Sequence, residues 1–178
     1  TYAADRQAML EQLFVEPAQR RPADRFVIAG AQYPASFPWG DNVWFLRHLP
    51  PPDHAAFYAA SRMTLNVTRE AMARMGWCPS GRLFEAAACG VPILSDWFDG
   101  LDAFFTPGEE ILVAHNTEEA MAALDLPDAM LRDIAARAQA RTLACYTARQ
   151  RAREMVAALE AAVRPAPQAV FRPTPQEA

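Results

Sequence analysis

Short apolar runs alternate with helical segments along most of this 178-residue chain, and this alternation restricts its fold more than any other feature. Five such runs are predicted to be buried strands, at residues 25–30, 42–46, 63–67, 92–95 and 109–113. This spacing is typical of βαβ units, whose right-handed crossovers produce a parallel sheet covered on both faces. The predicted fold class is therefore α/β, a Rossmann-like, doubly wound sheet with helices on both faces and C-terminal helices packed on it.

Helices are predicted between and after these strands. Apolar spacing indicates a helix over residues 5–16 that ends at Pro17, and Asp53 is expected to cap the next helix. A further helix is predicted from Ser80 to Cys89, where Gly90 closes it. Three helical patterns follow Asn116, and the last carries an apolar face of Ala152, Val156, Leu159 and Val163.

One domain, residues 1–163, is expected from this length and pattern. Residues 164–178 contain four prolines and no apolar periodicity, so a Pro-rich flexible tail is predicted there. The chain starts with Thr1 rather than Met and leads at once into a helix. We therefore expect that it was cut from a longer protein.

Charge and composition disfavour several classes of function. Seventeen basic and 21 acidic residues give a net charge of −4, which argues against nucleic acid and anionic membrane surfaces as partners. Cys78, Cys89 and Cys145 include no CxxC pair, so neither a disulfide framework nor a metal site is expected. No segment is apolar enough to span a membrane and none is typical of a signal peptide, so a cytoplasmic location is predicted.

The predicted helix at residues 80–89 carries the strongest functional signal. In open parallel sheets, ligands bind at the carboxyl ends of the strands, where helices such as this one begin. Ser80 is a good N-cap, and Gly81 lets a ligand approach free backbone N–H groups that attract phosphate oxygens. Arg82 adds a full positive charge. Glu85 follows Gly81 by four residues, so it is expected on the same helix face, where its carboxylate can accept both ribose hydroxyls.

Residues 79–96, PSGRLFEAAACGVPILSD, are the core of a longer pattern that continues with GL at 100–101 and PGEEI at 107–111. FVIAGAQYP at 26–34 and LNVTR at 65–69 belong to the same pattern. Together these stretches resemble the CgeB-like spore-protein glycosyltransferase family, with the similarity covering roughly residues 1–125.

The resemblance implies a GT-B-type glycosyltransferase of two Rossmann-like domains, with no essential metal and no cofactor beyond the nucleotide diphosphate-sugar donor. This chain is similar to the C-terminal, donor-binding domain, which implies that an N-terminal acceptor domain is its partner. The following substrate-binding residues are implied: Ser80, Gly81 and Arg82 at the diphosphate, Glu85 at the ribose, Arg69 as an assistant, and His48 near the base.

One departure from the family pattern concerns catalysis. Related retaining enzymes have two glutamates eight positions apart that face the donor, and the second corresponds to Glu85. The first corresponds to Trp77, so the carboxylate expected beside the donor sugar is missing. The stereochemical outcome of the reaction is therefore left open, and no catalytic residue is assigned.

Simpler interpretations remain open at this stage. Glu85 can pair with Arg82 on a solvated helix face, and Ser80 can be an ordinary N-cap. Asp96, which joins the candidate site because it follows a strand, can be a turn residue, while Arg69 and His48 can be ordinary surface side chains.

Three functions are compatible with this fold class to different degrees. Glycosyl transfer comes first, and the alternative is a non-catalytic nucleotide or nucleotide-sugar binding module. A dinucleotide-dependent oxidoreductase is disfavoured, because the first strand leads into Ala29-Gly30-Ala31-Gln32 instead of a Gly-x-Gly-x-x-Gly turn.

Overall fold

The computed structural model describes residues 2–163, so the predicted tail at 164–178 lies outside the described residues. The strands are β1 (Phe26–Ala29), β2 (Val43–Leu46), β3 (Thr64–Asn66), β4 (Ile93–Ser95) and β5 (Leu112–Val113). The helices are α1 (Gln7–Leu10), α2 (Glu16–Arg20), α3 (His54–Ala59), α4 (Glu70–Met75), α5 (Gly81–Ala88), α6 (Leu101–Phe104), α7 (Thr117–Leu124), α8 (Asp128–Cys145) and α9 (Ala148–Val163).

Every described strand pair is parallel, and the α/β, Rossmann-like fold class is confirmed. The hydrogen bonds nevertheless form two ladders, β1–β2 and β3–β4–β5, instead of one continuous sheet. Strand β1 pairs with β2 in the register Phe26 to Val43, and β3 pairs with β4 in the register Thr64 to Ile93.

Strand β4 is buried on both sides and carries the core of the larger ladder. Successive side chains of a strand point to opposite faces. Ile93 belongs to a cluster with Leu83 and Ala87 of helix α5, whereas Leu94 belongs to a cluster with Leu13 and with residues of α7. Helices therefore cover both faces of this ladder.

The N-terminal helical segment, residues 4–20, joins the two ladders. Phe14 packs with Ile28 of β1 and with Val67, which follows β3, while Leu13 packs with Leu94 of β4. The apolar side of one helical segment thus supplies the core between ladders that share no backbone hydrogen bonds among the described residues.

The prediction that Pro17 ends this helix is wrong. Residues Glu11–Val15 form a π-helical turn, in which the Glu16 N–H donates to the Glu11 carbonyl, five residues back. Helix α2 then continues to Arg20 with Pro17 near its start. A proline is tolerated in the first turn of a helix because its missing N–H is not needed there, and the wider turn provides such a start.

Other predicted boundaries also change. Asp53 makes no side-chain cap, because Pro51–Asp53 is itself a 3₁₀ turn that continues into α3. Strand β5 is shorter than predicted, since Pro107 and Ile111 form only an isolated bridge before it. The short helices α4 and α6 carried no recognisable pattern in the sequence.

The three predicted C-terminal helices are present as α7, α8 and α9. Helix α8 packs on α5, where Gln139 Nε2 donates to the Ala88 carbonyl at 2.9 Å. Helix α9 buries none of its residues, and Met155, Val156, Leu159 and Val163 are exposed. Within residues 2–163, no helix is long and apolar enough to cross a membrane.

Candidate functional site

Helix α5 begins at the carboxyl edge of the β3–β4–β5 ladder, with Ser80 as its N-cap. The Ser80 Oγ accepts a hydrogen bond from the Arg82 N–H at 3.4 Å, and the Ser80 backbone is extended, as at a regular helix start. Gly81 is exposed at the first helical position. The helix start therefore presents a backbone surface that a ligand can reach without displacing a side chain.

Glu85 and Gly81 share one face of α5, as the sequence predicts. A Cβ added at Gly81 would lie 3.9 Å from the Glu85 Oε1, so the carboxylate reaches back beside the helix start. Glu85 is exposed, and no ion pair joins it to Arg82 in the described part of the chain. The simpler interpretation, a surface pair between these two residues, is therefore not supported.

The Arg82 side chain reaches strand β3. Its Nη1 donates to the Leu65 carbonyl at 3.4 Å, and its positive charge acts to lower the pKa of Tyr58. Burial raises the pKa of Tyr58 in spite of that charge, so its hydroxyl stays protonated. The bond to Leu65 places the guanidinium of Arg82 at the strand edge.

Two more arginines contribute to the positive potential at this edge. Burial is the main cause that lowers the pKa of Arg6, and the positive charges of Arg82 and Arg69 lower it further. The charges of Arg82 and Arg6 also act on Tyr33. Burial raises the pKa of the Tyr33 hydroxyl, and these two positive charges oppose that rise. We call Arg6, Arg69 and Arg82 the arginine cluster.

The start of the N-terminal helical segment brings Arg6 to this edge. The Tyr2 N–H donates to the Ala31 carbonyl beyond β1 at 2.9 Å, and the Asp5 Oδ2 accepts from the Glu70 N–H at 3.2 Å. Asp5 thereby satisfies the start of α4 directly beside Arg69. Sequence analysis missed Arg6, because one arginine in an amphipathic helix has no pattern that marks it.

Asp96 is buried and has a structural role. Its carboxylate accepts from the Thr68 N–H at 3.0 and 2.9 Å and from the Thr68 Oγ1 at 2.8 Å. Burial raises the pKa of Asp96, although the bonds from Thr68 oppose that rise. These contacts join the ends of β3 and β4, so the turn-residue interpretation has direct support, while ligand binding by Asp96 stays a prediction.

His48 is not connected to helix α5 by any hydrogen bond or ion pair found within residues 2–163. It is exposed in the loop after β2. The neighbouring residue Leu49 is fixed by a contact of 3.1 Å between its carbonyl and the His54 Nε2. The structure therefore groups Ser80, Gly81, Arg82, Glu85 and Arg69 near the start of α5, while the position of His48 near the base stays a prediction.

The loop before α5 is shaped around Trp77. Its backbone lies in the left-handed region, with φ of +54°, and its N–H donates to the Asp99 carbonyl at 2.6 Å. A Cβ added at Gly100 would lie 2.6 Å from a ring atom of Trp77, so the indole packs directly on that glycine. Trp77 thus connects the loop between α4 and α5 to the loop after β4.

No group of three or more His, Cys, Asp or Glu side chains that suits a metal ion is found within residues 2–163. Metal independence of any reaction stays a prediction.

Parallel α/β ladders with a capped helix start at their carboxyl edge form a Rossmann-like architecture. A family model described as glycosyl transferase-like matches residues 6–157. The chain belongs to that glycosyl transferase-like family. No curated protein matches the chain.

Solved structures of glycosyltransferases share this fold. Sucrose-phosphate synthase from Thermosynechococcus elongatus superposes with a TM-score of 0.64 at 16% identity, covering 88% of this chain and 44% of that one. Anabaena HepE, in complex with UDP and glucose, gives a TM-score of 0.65 at 16% identity, covering 83% and 44%. AviGT4, involved in avilamycin A biosynthesis, gives 0.56 at 18%, covering 90% and 49%. The chain thus spans about half the length of these proteins.

Proposed function

We propose that this chain is the donor-binding domain of a glycosyltransferase and that it binds a nucleotide diphosphate-sugar for transfer to an acceptor. The observation that carries the proposal is the start of α5, where exposed Gly81 lies beside the Glu85 carboxylate and near the arginine cluster. Membership of the glycosyl transferase-like family supports it, as does the fold shared with HepE, which was solved in complex with UDP-glucose.

The ligand's charge pattern matches the electrostatics of this edge. Backbone N–H groups at a helix start and nearby guanidinium groups bind phosphate oxygens. A carboxylate one turn further along the same helix face accepts hydrogen bonds from vicinal hydroxyls. We therefore assign the diphosphate to Ser80, Gly81 and the arginine cluster, and the ribose to Glu85.

Chemistry at this site would consist of stabilising the leaving group. When the bond between the sugar and the diphosphate breaks, negative charge develops on the departing phosphate oxygen. The helix start presents backbone N–H groups to that charge, and Arg82 adds a positive charge nearby. Preorganised donors such as the helix start lower the barrier because they need not reorganise during the reaction. The acceptor and any base that deprotonates it are assigned to a second domain.

The second domain is itself part of the proposal. The chain spans 44% of the sucrose-phosphate synthase chain that it matches, and the exposed apolar side chains of α9 are available for contact with another domain. The more specific similarity to the CgeB-like branch and the cytoplasmic location also stay proposals.

A non-catalytic nucleotide-sugar binding module is the second candidate, and one observation favours it. By the resemblance described above, Trp77 corresponds to the position where related retaining enzymes have a glutamate at the donor sugar. Without that carboxylate, the chain keeps the groups that hold the donor and lacks one that acts on it.

Calorimetric titration with UDP, GDP, ADP and NAD, each with and without magnesium, tests the proposed binding. Metal-independent binding of one nucleoside diphosphate is expected. Binding of NAD alone would instead favour the dinucleotide-dependent class. A hydrolysis or transfer assay with the matching sugar nucleotide then separates an enzyme from a binding module.

A further inference from the structure

Trp77 is held in a conformation that only a specific environment maintains. Non-glycine residues in the left-handed region cost about 1–3 kcal/mol, and Trp77 has a φ of +54°. The indole is nevertheless 67% exposed, so core packing does not repay that cost. Strained residues with exposed functional side chains are concentrated at ligand sites.

Gly100 determines how the indole is presented. Its own φ is +90°, and a side chain there would collide with the indole, because the added Cβ would lie 2.6 Å from Cδ2. Gly76 makes a similar close approach, with its added Cβ 3.1 Å from the Asp99 Cβ. The backbone therefore supports the ring from one side and leaves most of its surface open to solvent.

The position of Trp77 relative to the proposed donor follows from the order of groups in a nucleotide-sugar. These ligands are linear, with the nucleoside, the diphosphate and the sugar in that order. Glu85, assigned to the ribose, lies about 6 Å along the helix axis beyond Gly81. With the diphosphate at Gly81, the sugar extends in the opposite direction, toward the loop that precedes Ser80 and contains Trp77.

We propose that Trp77 binds the sugar ring of the donor by stacking its indole on the apolar C–H face of a hexopyranose. This inference rests on the proposed function and names a specificity-determining residue within that site. The face of an aromatic ring is electron-rich and attracts the polarised C–H groups of a pyranose. Trp77 thereby recognises the sugar where a carboxylate is absent.

Two variants remove the ring without imposing new strain. Glycine and asparagine both tolerate the left-handed region, so Trp77→Gly and Trp77→Asn are expected to fold. Trp77→Phe retains an aromatic face and serves as the rescue variant. Trp44→Leu removes another exposed tryptophan, on the edge strand β2, and serves as the matched control.

The test compares the affinity for a nucleoside diphosphate with the affinity for its glucose ester, beginning with UDP and UDP-glucose. Trp77→Gly and Trp77→Asn should weaken UDP-glucose binding about tenfold and leave UDP binding unchanged, while Trp77→Phe restores most of the loss and Trp44→Leu changes neither affinity.

Equal weakening of both ligands, or unchanged UDP-glucose affinity, would overturn the role of Trp77 while the proposed function stands. If the wild-type chain bound neither UDP, GDP and ADP nor their glucose esters, the proposed function would fail, and the role of Trp77 would fail with it.

Discussion

Gly81 is exposed, has a helical backbone and lies beside Glu85. A substitution at this position is therefore expected to change ligand binding without lowering the stability of the fold. A Cβ at this position would meet only the Glu85 Oε1, at the ordinary contact distance of 3.9 Å. Gly81→Ala should therefore leave the free energy of unfolding unchanged or raise it by up to about 1 kcal/mol. The added methyl group would obstruct the phosphate, so UDP affinity should fall about tenfold, or 1.4 kcal/mol. Chemical denaturation and calorimetry measure the two quantities, and a variant that keeps full affinity would remove Gly81 from the site.

Arg6 lies near two other arginines, and an anionic ligand would offset the repulsion among the three charges. In the folded protein, burial and the neighbouring charges of Arg82 and Arg69 lower its pKa, and an anion bound nearby would favour its charged form. Arg6→Met keeps the apolar stem and removes the charge. We expect it to weaken UDP binding, as calorimetry measures.

The matched control for Arg6 is Arg132→Met, on the exposed surface of helix α8. This substitution should change neither the UDP affinity nor the melting temperature. Equal UDP affinity in Arg6→Met and the wild type would show that the arginine cluster does not include Arg6.

Asp96 gives a prediction about pH. Because burial raises its pKa, the folded protein binds this proton more tightly than the unfolded chain. The contribution of Asp96 to stability is therefore greatest below about pH 4 and falls as the pH rises through the raised pKa. Asp96→Asn should remove this part of the pH dependence of the free energy of unfolding. An unchanged pH profile from denaturation series at several pH values would contradict it.

Helix α9 is predicted to make contacts outside this fold, with the proposed second domain and, in the isolated chain, with a second copy. Its apolar side chains are exposed, and Leu159 is 59% exposed. The double variant Met155→Gln, Leu159→Gln should reduce self-association of the chain without lowering its melting temperature, because α9 has no buried residues. Sedimentation equilibrium measures the association. Ala161→Gln, on the opposite face of α9, is the control, and equal association of all three proteins would contradict the prediction.

The elements that the sequence predicted correctly are those determined by residues within or next to the element itself. Helix α5 follows from the Ser80 cap, and β4 follows from a short apolar run. The π-helical turn before Pro17 was missed, because a proline after an apolar helical pattern predicts the end of a helix, whereas here it is part of the first turn of α2. Asp53 was mispredicted as a cap because the prolines before it form a 3₁₀ turn.

For the candidate site, the sequence identified the residues that are close along the chain. Ser80, Gly81, Arg82 and Glu85 form one helix start, so their grouping needed only the helical period. Arg6 is brought to them by tertiary contacts, such as the bond from the Glu70 N–H to Asp5, and a single sequence does not contain that information. His48 was included because it follows a predicted strand and because of the resemblance, and its role near the base stays a prediction.

Across the fold as a whole, the core lies on the two faces of the sheet and the candidate site lies at the carboxyl ends of the strands. Helices on both faces of β4 build the core, and the loops and helix starts at the carboxyl edge carry the arginine cluster, Glu85 and Trp77. The chain spans about half the length of the glycosyltransferases that share its fold. Donor binding is thus the part of the reaction that this chain is proposed to perform.

The proposed function depends above all on binding of a nucleoside diphosphate at the start of α5. Calorimetric titration of the wild type and Glu85→Gln with UDP in the presence of EDTA tests this binding. We expect the wild type to bind without metal and the variant to lose about tenfold or more in affinity, because a charged hydrogen-bond acceptor contributes about 1.5–3 kcal/mol. Equal UDP affinity in both proteins, or no binding of UDP, GDP or ADP by the wild type, would contradict the proposal.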